Sequence, residues 1–182
     1  SAPFGRILPA MVTPMKSDGS VDFAAAQKLA KYLVADGAVL VVNGTTGESP
    51  VTHMDEKVEL VRAVKEVVDV PVISGAGSND TAHTCVWSNN SGAGADAVLV
   101  VMPYYSRPSQ DGIVGHYKAV DESARKADHR LRCSRPTGLK VKVGTSTDWP
   151  KLEHVKLSRT PPAILQPQWR SSSAPASPWY SG

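Results

Sequence analysis

Along the first two thirds of the chain, short apolar runs alternate with amphipathic stretches. Runs rich in Val, Ile and Ala fall at 7–12, 38–42, 70–74 and 97–102, each bounded by Gly, Pro or Asp. Apolar runs of this length without polar alternation read as parallel strands buried on both faces. Between the first two, Asp22 is placed to cap a helix whose apolar positions Phe23, Ala26, Ala30, Leu33 and Val34 recur every three or four residues, with Gly37 beyond its end. Thr52 is placed to cap the next, with Val58, Val61, Val64 and Val68 on one stripe and Pro71 after it. The third helical stretch, around 83–91, has low helix propensity and poor apolar spacing. The rhythm as a whole predicts a run of βα units, an α/β fold with a parallel sheet.

Composition splits this picture in two. The 182 residues suit one domain or part of an α/β barrel, and no apolar run nears the roughly 18 residues of a membrane helix. No secretory signal is visible in residues 1–14, so the expected location is the cytoplasm. Cys85 and Cys133 have neither disulfide-framework nor metal-ligand spacing, and no metal is expected. Up to residue 122 there are nine Lys and Arg against fourteen Asp and Glu; from 123 to 182 there are eleven against three. The second region also holds Trp149, Trp169 and Trp179 and half of the fourteen prolines. A basic arm of that kind could contact phosphates, but its tryptophans are not interleaved with its basic residues as base stacking requires.

In parallel α/β folds chemistry gathers at the carboxyl ends of the strands. The second run ends in Asn43-Gly44-Thr45-Thr46-Gly47-Glu48-Ser49. Glycines flanking two threonines allow a tight turn that offers N–H groups to an anion, while the hydroxyls can hold a carboxylate or pass a proton. An ordinary turn with capping threonines is the plainer alternative. The fourth run ends in Met102-Pro103-Tyr104-Tyr105-Ser106-Arg107-Pro108, which offers a phenol at the strand mouth or merely two aromatics packing a loop.

Four motifs then carry a resemblance: Val12-Thr13-Pro14-Met15, Gly44-Thr45-Thr46-Gly47-Glu48-Ser49, Pro71-Val72-Ile73-Ser74-Gly75-Ala76-Gly77, and Pro103-Tyr104-Tyr105 with Arg107-Pro108-Ser109-Gln110-Asp111-Gly112. Their order and spacing over residues 4–122 resemble the dihydrodipicolinate synthase family of pyruvate-dependent class I aldolases. The resemblance implies a (β/α)₈ TIM barrel, of which 1–122 supply the first four units. It implies a lyase that condenses pyruvate with aspartate semialdehyde, through a Schiff base, in diaminopimelate and lysine biosynthesis. It also implies a homotetramer that needs no cofactor beyond the imine with pyruvate and binds neither nucleic acid nor membrane. By position, Thr46, with Gly44 and Gly47, corresponds to the pyruvate-carboxylate site, and Thr45 and Tyr105 to the proton relay. Lys57 stands where lysine-inhibited relatives often carry His, so feedback control is not implied. The alternatives are a neuraminate lyase-like sugar-acid aldolase of the same superfamily and an inactive half barrel with a basic nucleic-acid-binding arm.

In the family, a fifth strand, a Pro-Gly-Arg loop and a sixth strand with the Schiff-base lysine should follow. None is recognisable in 123–178, although Trp179-Tyr180-Ser181-Gly182 resembles the entry to the seventh strand. A segment of matching length with unrelated, Arg-, Pro- and Ser-rich letters reads as frameshifted sequence standing in place of later barrel strands. Lys140, in Gly138-Leu139-Lys140-Val141-Lys142, is the weak candidate for the lysine, because it comes too early for a fifth strand and its helix to precede it.

Overall fold

The computed structural model describes residues 8–35, 37–90, 94–126, 130–134 and 155–158. Among the described residues, four α-helices and five strands follow one another: α1 Phe23–Val34, β1 Leu40–Val42, α2 Met54–Lys65, β2 Val72–Gly75, α3 Thr81–Asn90, β3 Ala97–Val101, α4 Gln110–Lys126, β4 Arg130–Ser134 and β5 Val155–Ser158. All five strands pair in parallel and in chain order. The 7–12 run is represented by a bridge of Ala10 with Val41, flanked by Met11 N–H donating to the Val41 carbonyl and Val41 N–H to the Pro9 carbonyl. It lies beside β1, in the place of a preceding strand. Among the described residues no helix is long and apolar enough to cross a membrane.

The sheet is covered differently on its two faces. Leu40, Val42 and Val72 bury against Ala26, Ala30, Leu60, Val61 and Val64 of α1 and α2. Val98 and Val100 do the same against Trp87 of α3 and Ile113, Tyr117, Val120 and Ala124 of α4. Register aligns Val42, Ser74 and Val98 across the sheet, so all four helices lie on one face. The opposite face gathers Val39, Val41, Ile73 and Ala97, with Leu99 packed against them. Strands in sequential order with helices on one side only make a singly wound sheet, the arrangement of a (β/α) barrel whose interior is filled mostly by branched apolar residues.

Local sequence accounts for the helix ends in most cases. Asp22 accepts from Ala25 N–H at 2.9 Å, and Gly37 takes φ +75°, both as the pattern predicts. The second helix differs. It begins one residue later than a Thr52 cap requires, with His53 as the N-cap residue and its N–H donating to Glu56 Oε2 at 2.9 Å; Thr52 Oγ1 donates instead to the Ser49 carbonyl. The poorly patterned third stretch is also a helix, Thr81–Asn90, with Ser91 outside the described residues. Asp80 Oδ1 accepts from Ala82 and His83 N–H, Thr84 Oγ1 donates to the Asp80 carbonyl at 2.7 Å, and Trp87 is 2 % exposed. This helix buries two hydroxyls and one tryptophan in place of an aliphatic stripe, and periodicity does not register that.

The compositional boundary at 122 is not a structural one. α4 runs through it to Lys126, and β4 and β5 extend the parallel sheet beyond it. A strand therefore does precede Lys140, which itself lies outside the described residues.

Candidate functional site

Four non-glycine residues among those described adopt left-handed backbone: Asn43, Glu48, Tyr105 and Arg107. All lie just past the carboxyl ends of β1 and β3. Such conformations cost on the order of 1 kcal/mol each and persist only where the surroundings hold them, so their gathering here marks a site independently of any motif.

The loop after β1 is held from below. Asn43, 2 % exposed, donates through Nδ2 to the Lys57 carbonyl at 3.0 Å and to Ser74 Oγ at 3.3 Å, tying loop, α2 and β2 together. Gly44 opens a 3₁₀ turn over Thr45–Gly47, closed by Gly47 N–H and Ser49 N–H donating to the Gly44 carbonyl. At its far end the Gly47 carbonyl accepts from Thr13 Oγ1 at 2.7 Å. A Cβ on Gly47 would stand 2.9 Å from Thr13 Oγ1 and 3.0 Å from the Met11 carbonyl, and one on Gly75 would strike the Asn43 carbonyl, so both positions require glycine. Thr45 and Thr46 are thereby presented outward on a turn pinned at both ends.

A cavity of about 370 Å³ opens beside this loop. Gly75, Leu99 and Val101 form its base, and Gly44, Thr45, Lys57, His83, Trp87 and Tyr104 its walls. The Trp87 indole donates to the Gly75 carbonyl at 2.6 Å, which fixes the ring, and Lys57 Nζ lies 5.4 Å from the ring centroid. Burial holds the Lys57 ammonium below the ordinary lysine range. Behind the wall, buried His116 shares a 2.8 Å hydrogen bond through Nδ1 with Thr81 Oγ1. Its pKa is lowered, mainly by burial, with the Val101 carbonyl opposing in part.

Of the residues singled out in the sequence, Gly44 and Thr45 line the cavity, Gly47 anchors the turn, and Thr46 stands exposed on it, outside the lining. Tyr105 is not brought into the cavity. It is 95 % exposed with φ +68°, and its neighbour Tyr104 lines the wall instead. Asn43, His83 and Trp87 were not foreseen, whereas Tyr104 is one of the two tyrosines that the sequence offered for the strand mouth. Asn43 carried a signal, since Asn tolerates left-handed backbone directly before a glycine turn. Trp87, the sole tryptophan of residues 1–122, carried another that the poor helix pattern masked.

Comparison with known proteins agrees with this geometry. The model of the Dihydrodipicolinate synthetase family matches residues 3–129. A 4-hydroxy-tetrahydrodipicolinate synthase of Bifidobacterium longum is 73 % identical over 184 aligned residues, covering 100 % of this chain and 61 % of the relative. One from Bifidobacterium animalis subsp. lactis is 60 % identical, covering 100 % and 60 %. The crystal structure of a dihydrodipicolinate synthase from Bacillus anthracis superimposes with a TM-score of 0.78 at 41 % identity, over 84 % of this chain and 53 % of that one. The chain thus spans about three fifths of the length of the curated relatives it matches.

Proposed function

The chain belongs to the dihydrodipicolinate synthetase family, and from that premise we propose that the protein it represents condenses pyruvate with aspartate semialdehyde to 4-hydroxy-tetrahydrodipicolinate. A lysine amine forms an imine with the pyruvate carbonyl, releasing water; loss of a methyl proton gives the enamine, whose carbon attacks the aldehyde to leave an alcohol. The amino group of the semialdehyde then displaces the lysine from the regenerated imine and closes the ring. Pyruvate itself supplies the activated carbon, so this chemistry requires no metal or organic cofactor. A cytoplasmic homotetramer is the expected form.

The observation that carries the reading is the Thr45–Gly47 turn, pinned by Asn43 and Thr13 beside a cavity at the strand mouth. Thr46 would hold the pyruvate carboxylate, with the Gly44 and Gly47 backbone shaping the turn, and Thr45 and Tyr105 would move protons. Because Tyr105 stands outside this chain's own cavity, its role in a relay requires the loop that bears it to be carried to a site by assembly or movement. Condensation of pyruvate with aspartate semialdehyde, assayed beside neuraminate cleavage, separates this reading from the sugar-acid aldolase. Activity only in the second assay would reverse the assignment.

We further infer that residues 123–178 include out-of-frame sequence. β4 places Arg130 and Arg132 in register with Ala97 and Leu99, both members of the interior cluster. At barrel-interior register positions bulky apolar residues are normal and arginine is rare. The match to the family model ends at residue 129, just before them. Intact mass with peptide mapping of the expressed protein would overturn this by finding every residue of 123–178 as written, in a chain that is folded and active.

A further inference from the structure

The loop after β3 holds its two tyrosines in opposite settings. Half-buried Tyr104 lines the cavity wall, while Tyr105 is 95 % exposed, and both Tyr105 and Arg107 take left-handed backbone. Hydrogen bonding inside the loop is local, with Ser106 N–H donating to the Tyr104 carbonyl at 2.8 Å. The direction of such a loop follows from how its ends are held, here Val101 of β3 and Gln110 of α4.

The β3 end is gripped on two sides. A Cβ on Gly77 would strike Val101, so the loop after β2 lies directly against it. From α4, two adjacent residues reach the same strand end. The Tyr117 hydroxyl donates to the Val100 carbonyl at 3.5 Å, and the Val101 carbonyl acts on the His116 ring, favouring its charged form. His116 is 3 % exposed, and its ring meets that of Tyr117 edge to face at 5.4 Å. Its Nε2 is buried without a hydrogen-bond partner among the described residues, whereas Nδ1 is joined at 2.8 Å to Oγ1 of Thr81, the first residue of α3. The Thr81 bond therefore orients the ring.

We propose that His116 is a positioning residue: anchored on α3 through Thr81, it holds the end of β3 against α4 so that the loop between them turns Tyr104 inward and Tyr105 outward. Left-handed backbone at a tyrosine is costly and persists only where the surroundings impose it, and the imidazole supplies that restraint where β3, α3 and α4 converge. The placement is independent of any substrate; only the use of the outward phenol for proton transfer rests on the function proposed above.

The test is hydroxyl-radical labelling of the full chain, read by tandem mass spectrometry as the ratio of oxidation at Tyr105 to that at Tyr104. The wild type should be labelled several-fold faster at Tyr105. His116→Phe, which keeps a ring and removes both nitrogens, and Thr81→Val should each lower the ratio by roughly threefold, the shift that one neutral hydrogen bond makes in a conformational equilibrium. The double variant should fall no further than the larger single effect, because both act through one bond. Ser123→Ala removes another hydrogen bond between the same two helices, from Ser123 Oγ to the Cys85 carbonyl at 3.0 Å, and should leave the ratio as it was. If His116→Phe loses the wild-type circular dichroism, Thr81→Val decides alone. A wild-type ratio near one, an unchanged ratio in the folded variants, additive losses, or an equal loss in Ser123→Ala would overturn the proposal. Labelling needs no pyruvate, so inactivity in the condensation assay leaves this placement standing, and an unchanged ratio leaves the pyruvate reading standing.

Discussion

The loops after β1 and β3 leave the same parallel sheet, and each carries two left-handed non-glycine residues, but they are held by different means. In the first, side chains distant in sequence reach in from beneath: Thr13 to the Gly47 carbonyl, and Asn43 to α2 and β2. In the second, the hydrogen bonds are short-range: Ser106 N–H donates to the Tyr104 carbonyl, Gly112 N–H to Ser109 Oγ, and Ile113 N–H to the Ser109 carbonyl. The threonine turn is thus built into the core before any ligand arrives. The tyrosine loop carries comparable backbone strain while presenting Tyr105 to solvent. A turn pinned in this way holds its hydroxyls in place before substrate arrives, whereas the phenol meets a reacting atom only when its loop is brought to one.

Substitutions can sharpen or break this contrast. The largest expected effect is at Gly47→Val, where the new side chain meets Thr13 Oγ1 and the Met11 carbonyl; about 3 kcal/mol of stability should be lost in urea titration. A cost below about 1 kcal/mol would show that the turn is not pinned. Next, Thr46→Val should keep wild-type stability while weakening pyruvate binding by roughly 1.5–3 kcal/mol, the range for a hydrogen bond to a charged group. Thr13→Val, which leaves the buried Gly47 carbonyl without its donor, should cost about 1.5 kcal/mol in stability.

His116 gives a pH-dependent version of the same comparison, because it fixes α3 to α4 behind the tyrosine loop. Burial disfavours its charged form, so its folded pKa lies below the ordinary 6.5 and the unfolded chain takes up the proton first as pH falls. The stability that the neutral ring supports is complete above about pH 6.5 and is lost as pH falls through the folded value. Thermal unfolding followed from pH 7.5 to 5 should show that decline in the wild type and a flatter profile in His116→Gln; equal slopes would exclude the imidazole as the cause. The smallest effect belongs to Tyr105→Phe, expected within about 0.5 kcal/mol of wild-type stability. A larger loss would mean that the phenol anchors its loop after all.

The reach of sequence reasoning differed in the same way between regions. Strands β1, β2 and β3 were legible because buried parallel strands need no polar alternation, and α1 because Asp22 and Gly37 both act as the pattern requires. α3 was not, since Thr84 and Ser88 are buried polar residues and one Trp87 ring does the packing expected of several aliphatics. The turn residues Gly44, Thr45, Thr46 and Gly47 were legible by motif, but the anchors Thr13 and Asn43 act across 34 and 14 residues of sequence, and no local pattern encodes such pairs. The failure to bring Tyr105 into the cavity was equally invisible, because adjacent tyrosines look alike in sequence and only the left-handed backbone between them decides which one faces inward.

If residues 123–178 include out-of-frame sequence, as proposed above, this chain lacks a competent imine-forming lysine. That is tested most directly by incubating the protein with pyruvate and borohydride and measuring its intact mass. The expected result is an unmodified chain, whereas a family member with the complete second half is trapped as a reduced pyruvyl adduct. An adduct on this chain, mapped to Lys140 or to Lys156 of β5, would contradict it.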